Sequence, residues 1–169
     1  MRPLAARHSR ARFALLAAAA LAGLLIPVAA LASHWTVDPG GAGDFTTIQA
    51  AVDAGKWLGI PDTFLVLPGQ YDEDVVLPPR YTRFALLAAG GAAVTRVRSL
   101  TYPSDVGVGA EIEGFTFERD FQIHWGGSYT DVAHCRFEGP VDGSGSGAFF
   151  DDCDFYGRCT LIWYQAAGL

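Results

Sequence analysis

The sequence predicts an all-β chain, a right-handed parallel β-helix with an N-terminal capping helix, and three observations lead there. The first is a six-residue pattern that occurs three times, over Ile112 to Phe117, Val132 to Phe137 and Phe150 to Phe155, with starts 20 and 18 residues apart. The second is the order within each copy: an apolar residue, a polar, Gly or bend-tolerant pair, then two apolar positions flanking one polar residue, the period-2 alternation of a half-buried strand. The third is length, because a repeat this short cannot close a core alone and must cover its apolar face with the next copy. Phe117, Phe137 and Phe155 then form one interior ladder and Phe115, Cys135 and Cys153 a second. Each buried Phe contributes roughly 1.5–3 kcal/mol to such a stack.

The chain opens with Arg2, Arg7, Arg10 and Arg12, an Ala/Leu-rich run from Phe13 to Ile26, and the small-x-small sequence Ala30, Leu31, Ala32. This is the layout of a secretory signal peptide, residues 1–32, cleaved before Ser33. A transmembrane anchor fits less well, since the run is Ala-heavy and interrupted by Pro27. No Cys near the cleavage point suggests a lipid anchor and no Arg pair suggests the twin-arginine route. The mature protein, residues 33–169, is expected to be secreted, whether extracellular, periplasmic or on the cell surface, and free of the membrane after cleavage.

Trp35 and Val37 alternate as a first short strand ahead of a Gly-rich turn. A helix follows, with Thr46 or Thr47 as N-cap and Ile48, Ala51, Val52 and Gly55 on one face. Such a helix covers the open bottom of the solenoid and blocks edge-to-edge pairing there. Phe64 to Leu67, Val75 to Leu77 and Phe84 to Leu87 read as short strands separated by the turns Pro68-Gly69 and Pro78-Pro79. Val94 to Val97 begins the next coil, Leu100 to Gly109 reads as a looser polar excursion, and Gly143 to Gly147 as a flexible turn too short for a domain linker. At roughly 20 residues per coil the mature chain supplies about five coils in one domain. It stops in the apolar segment Leu161 to Leu169 with no polar cap. That ending is the expectation for the N-terminal part of a longer protein, a β-helix incomplete at its C-terminus.

Removal of residues 1–32 leaves eight basic residues against 18 acidic ones, a net charge of −10 that argues against a nucleic-acid partner. Cys135, Cys153 and Cys159 make an odd count, so at least one stays unpaired. Cys135 and Cys153 share a repeat position that permits a bridge, although parallel stacked side chains are a poor start for the disulfide torsion, and two small buried hydrophobes is the preferred reading. No Cys or His grouping has zinc spacing, and the four His are scattered. No metal and no cofactor is expected.

The segment from Val37 to Ala54, with Asp38-Pro39-Gly40-Gly41 followed by Phe45-Thr46-Thr47-Ile48-Gln49, resembles the N-terminal opening of pectinesterases and of many secreted proteins of the pectin-lyase fold. Gly69-Gln70-Tyr71-Asp72-Glu73 fits the Gly-x-Tyr-x-Glu element of pectinesterases, which also recurs in non-enzymatic β-helix proteins. The resemblance implies an ester hydrolase that pairs two aspartates, a nucleophile and an acid/base, with glutamines at the oxyanion and an orienting arginine. It lays Asp142 on the acid/base aspartate and Gln122 on the upstream glutamine, but puts Val141 where a second glutamine is expected and Thr160 on the nucleophile. Tyr164 stands where a Gly follows, and the arginine-bearing segment falls beyond Leu169. A threonine cannot replace a carboxylate nucleophile without a new base.

Trp125, Tyr129, Tyr156 and Trp163, with His124 and Tyr164 nearby, are candidates for sugar-stacking rings, against the plainer reading that half of them are interior ladder residues. Asp131, Asp151, Asp152 and Asp154 read as a solvated acidic face rather than a Ca²⁺ site, since no loop has dense oxygen-ligand spacing. Asp72, Glu73 and Asp74 read as a soluble strand edge. A Ser128, His134, Asp131 or Cys135–His134 arrangement is rejected because Cys135 points inward. The expectation is a secreted, non-catalytic β-helix associated with extracellular, pectin-like polysaccharide. The alternatives are a pectinesterase-like esterase, truncated or diverged at its active site, and a structural or adhesion module.

Overall fold

The computed structural model describes residues 33–55, 61–77, 83–102, 109–123, 130–144 and 148–162. The predicted signal peptide, the Pro78-Pro79 corner, and His124, Trp125, Tyr129, Trp163 and Tyr164 lie outside these residues. The described chain is a β-solenoid of about four turns built almost wholly from parallel strands. It carries one short helix, α1 (Ile48–Ala54).

Each turn has three faces. The first face stacks β1 (His34–Val37), β2 (Asp62–Val66), β4 (Phe84–Ala88), β6 (Ala110–Glu113), β9 (Thr130–Ala133) and β12 (Ala148–Asp151) in that spatial order. Two long strands, β3 (Gly69–Val76) and β5 (Thr95–Tyr102), run through the second and third faces of the lower turns. Above them the same path divides into pairs. The first half of β5 pairs with β7 (Thr116–Phe117), and β10 (Arg136–Phe137) and β13 (Asp154–Phe155) stack beyond it. Its second half pairs with β8 (Phe121–Ile123), followed by β11 (Val141–Ser144) and β14 (Cys159–Ile162).

Strand register reproduces the repeat. Ile112, Val132 and Phe150 align on the first face, and Phe117, Phe137 and Phe155 on the second. Each six-residue copy is an arc rather than one strand: its first two residues end the first-face strand and its last two form the second-face strand. The corner residues Gly114, His134 and Asp152 all have positive φ, at 79°, 53° and 47°. This left-handed turn aims the next residue inward, so Phe115 and Cys135 are buried and Cys153 packs against the core. Phe117 and Phe137 stack with centroids 5.5 Å apart, and Phe137 and Phe155 at 5.0 Å.

Three segments differ from the sequence reading, the first being Gly143 and Ser144, which end β11 rather than open a flexible turn. Leu100 to Tyr102 continue β5 with Leu100 and Tyr102 buried, so the polar excursion does not start at Leu100. Gly69 opens β3 rather than closing a Pro68-Gly69 turn, and the acidic residues Asp72, Glu73 and Asp74 hold defined partners instead of forming a bare soluble edge. Helix α1 packs on β1, β2 and β3 and buries Ile48, Ala51 and Val52. Thr47 is its N-cap, accepting from the Ala50 N–H. Its first turn is completed from β3, where the Glu73 carboxylate accepts the N–H groups of Ile48 (2.7 Å) and Gln49 (2.9 Å). Gln49 returns the contact: its side-chain amide accepts from Val76 N and donates to Val76 O, satisfying backbone groups that no strand pairs on that side of β3.

Candidate functional site

The third face places the candidate residues. Inward positions Val75, Leu100, Phe121 and Val141 align from turn to turn and are buried. The next position on each strand points outward, because successive side chains alternate across a strand. Val76, Thr101, Gln122, Asp142 and Thr160 therefore form one outward row in direct register. Neighbouring members lie one strand spacing apart, about 4.8 Å. Gln122, Asp142 and Thr160, three positions singled out from sequence, are thus consecutive on one surface.

Asp142 is half-buried, and its Oδ1 is shielded from solvent with no hydrogen-bond partner among the described residues. A shielded carboxylate oxygen without a donor is costly and favours a ligand that brings a hydroxyl or N–H to it. Val141 points into the core and cannot donate to an oxyanion whatever its neighbours. Thr160 offers a hydroxyl beside the Asp142 carboxylate, so the row holds a single carboxylate where a two-aspartate mechanism requires two.

The second face carries an ion-pair ladder. Arg96 bridges Glu118 (2.8 Å) and Glu138 (2.7 Å), while Arg98 holds Asp74 (2.7 Å) and Asp72 (2.8 Å). The Arg98 guanidinium and the Ser99 hydroxyl, both hydrogen-bonded to the Asp74 carboxylate, hold its pKa down to about 2. Hydrogen bonds to Asp74 raise Arg98, and those to Glu118 and Glu138 raise Arg96. Tyr156, exposed at 67%, follows β13 on this face, with the Arg136 guanidinium 5.6 Å from its ring centroid. It is separated from the Asp142 row by the corner between β13 and β14. Neither Arg96, Arg98 nor Thr101 was singled out from sequence. The signal was available, since Arg96 and Arg98 alternate with the buried Thr95, Val97 and Ser99.

Two acidic residues of the last turns have side-chain partners: Asp152 meets His134 Nδ1 at 3.2 Å and Asp154 meets the Arg136 guanidinium at 3.7 Å. Among the described residues no group of three or more His, Cys, Asp or Glu is arranged to hold a metal ion. A depression of about 220 Å³ lies on the first face, lined by Thr63, Arg83, Ala85 and Glu111 among others, away from the Asp142 row. Among the described residues no helix is long and apolar enough to cross a membrane.

No protein-family model, curated protein or solved structure matches the chain. The class rests on the architecture itself: a parallel β-solenoid consistent with a pectin-lyase-like fold.

Proposed function

We propose that this chain is a secreted, right-handed β-helix that binds extracellular polysaccharide on its third face without turning it over. The right hand follows from the strong preference of parallel crossover connections for that sense. The observation that carries the reading is the outward row Thr101, Gln122, Asp142 and Thr160, polar side chains repeated at strand spacing along the solenoid. A polysaccharide laid along the axis repeats its hydroxyl groups in the same direction, and Asp142 Oδ1 lacks the donor that such a hydroxyl supplies. Trp125, Tyr129 and Trp163 are proposed to add ring-stacking contacts, while Tyr156, on the second face, stands apart from this row.

The pectinesterase-like reading is favoured only by the adjacency of Gln122 and Asp142 and lacks the second carboxylate. One experiment separates the readings. Mature protein from Ser33 is mixed with highly methyl-esterified pectin, and binding and methanol release are followed together. Binding without methanol, weakened about tenfold by Asp142→Ala (~1.4 kcal/mol), is the expected outcome. Methanol release abolished by Asp142→Ala would overturn it in favour of an esterase. Neither binding nor release would leave a structural module.

A further inference from the structure

Cys135 and Cys153 stand side by side across two turns. Ala133 aligns with Asp151 and Arg136 with Asp154, so the two cysteines between them face one another one strand spacing apart. That spacing, about 4.8 Å, falls inside the Cα separation a disulfide spans. Their surroundings repeat as well. Each follows a positive-φ corner residue, and each thiol donates to the carbonyl two residues back, Cys135 to Ala133 O (3.2 Å) and Cys153 to Asp151 O (3.3 Å). Once Cys153 is ionised, the Cys135 S–H turns from its carbonyl to donate to the Cys153 sulfur.

The pair is unequal in exposure. Cys135 is buried in the arc with the Phe115 N–H donating to its Sγ at 3.5 Å. Cys153, in the last described turn, is half-buried. The hydrogen bond between the thiols, followed by burial, pushes the Cys135 thiol up. The same hydrogen bond, with backbone donors and nearby His134, holds Cys153 below the ordinary thiol range. A reachable thiolate beside a shielded thiol is the arrangement of an attacking and a resolving cysteine.

We propose that Cys135 and Cys153 form a redox-active dithiol that closes into a disulfide between turns by exchange with an external disulfide. The Cys153 thiolate attacks one sulfur of the donor, the donor S–S bond breaks, and one donor thiolate leaves. Cys135 then gives its proton to solvent and its sulfur attacks Cys153 Sγ, expelling the second donor thiolate, which is protonated. Two electrons pass from the protein to the donor, which is reduced to two thiols. Cys153 must rotate out of its parallel rotamer to meet Cys135, and its partial exposure leaves room for that rotation. Neither cysteine belongs to the outward row proposed to hold polysaccharide.

The test uses the reduced 169-residue chain incubated with oxidised glutathione, alkylated, and mapped by peptide mass. A peptide containing Cys135 joined to one containing Cys153, with Cys159 outside the bridge, is expected. In Cys135→Ser the reaction stops halfway and glutathione stays on Cys153. In Cys153→Ser, Cys135 in the folded protein alkylates at least about tenfold more slowly than Cys159. The proposal is overturned if Cys135 and Cys153 remain as alkylatable after oxidation as before, or if Cys153 in the unsubstituted chain keeps its glutathione. It is equally overturned if bridges to Cys159 form as often as the Cys135–Cys153 bridge. All three of these outcomes are read on the unsubstituted chain, so they stand even where a variant fails to fold.

Discussion

Phe137 sits at the crossing of the aromatic contacts, touching the rings of Phe117, Phe121, Phe150 and Phe155. Phe137→Ala removes a fully buried ring from both neighbours in its stack and is expected to cost about 3–5 kcal/mol in urea unfolding. Phe155→Ala, at a position already 39% exposed, should cost no more than half as much. These inward positions were legible because alternation marks a buried face directly. The Gly-x-Tyr-x-Glu element was legible as a pattern but not as a cause. A Cβ on Gly69 would meet the Pro39 ring at 2.5 Å, Tyr71 donates to Leu67 O, and Glu73 closes the first turn of α1. All three residues hold the first turn together. Glu73→Ala leaves two helix N–H groups without a partner and is expected to lose about 1.5–3 kcal/mol in the same assay.

Corners and edges explain where the element boundaries were missed. The turn signal at Pro68-Gly69 hid the start of β3, and the strand edge read at Asp72, Glu73 and Asp74 showed none of their contacts. Their partners, Arg98 and the N-terminus of α1, lie about 25 residues away in sequence, beyond any local pattern. The three positive-φ corners differ in what they tolerate. Gly114 takes φ 79° without strain, whereas His134 takes 53° at a cost that glycine removes. His134→Gly is expected to change stability by less than about 1 kcal/mol, because relief of strain offsets added freedom in the unfolded chain. Gly114→Ala, whose Cβ would lie 3.2 Å from Gly91 Cα, should lose about 1–2 kcal/mol by thermal or urea unfolding. Of the candidate row, Gln122 and Asp142 were singled out through a pectinesterase resemblance that no comparison with known proteins supports. Their alignment with Thr101 depends on turns of unequal length, 21 and 20 residues, and only strand register settles it.

The ladder and the buried tyrosines set how the whole molecule responds to pH. Asp74, held down to about 2 from an ordinary 3.8, contributes stability that is complete above that ordinary value and fades as pH falls from about 4 to about 2. Arg98→Gln should flatten this acid limb of the melting temperature. At the other end Tyr71 and Tyr102 are pushed up from 10.0 to about 12 chiefly by burial. Their contribution is complete below about pH 10 and lost as pH rises through about 12, so Tyr102→Phe should flatten the alkaline limb. A different consequence follows from the way the turns stack. Each turn's backbone hydrogen bonds go to the turns immediately before and after it, so tension applied to the two ends has no long-range brace to break at once. Stretched in an optical trap, the solenoid should peel turn by turn from an end, each of the upper turns releasing 18–20 residues and the lower, longer turns more. At ~3.5 Å per extended residue each upper-turn event lengthens the chain by about 65 Å, a ruler on which the repeat can be read directly in a force trace.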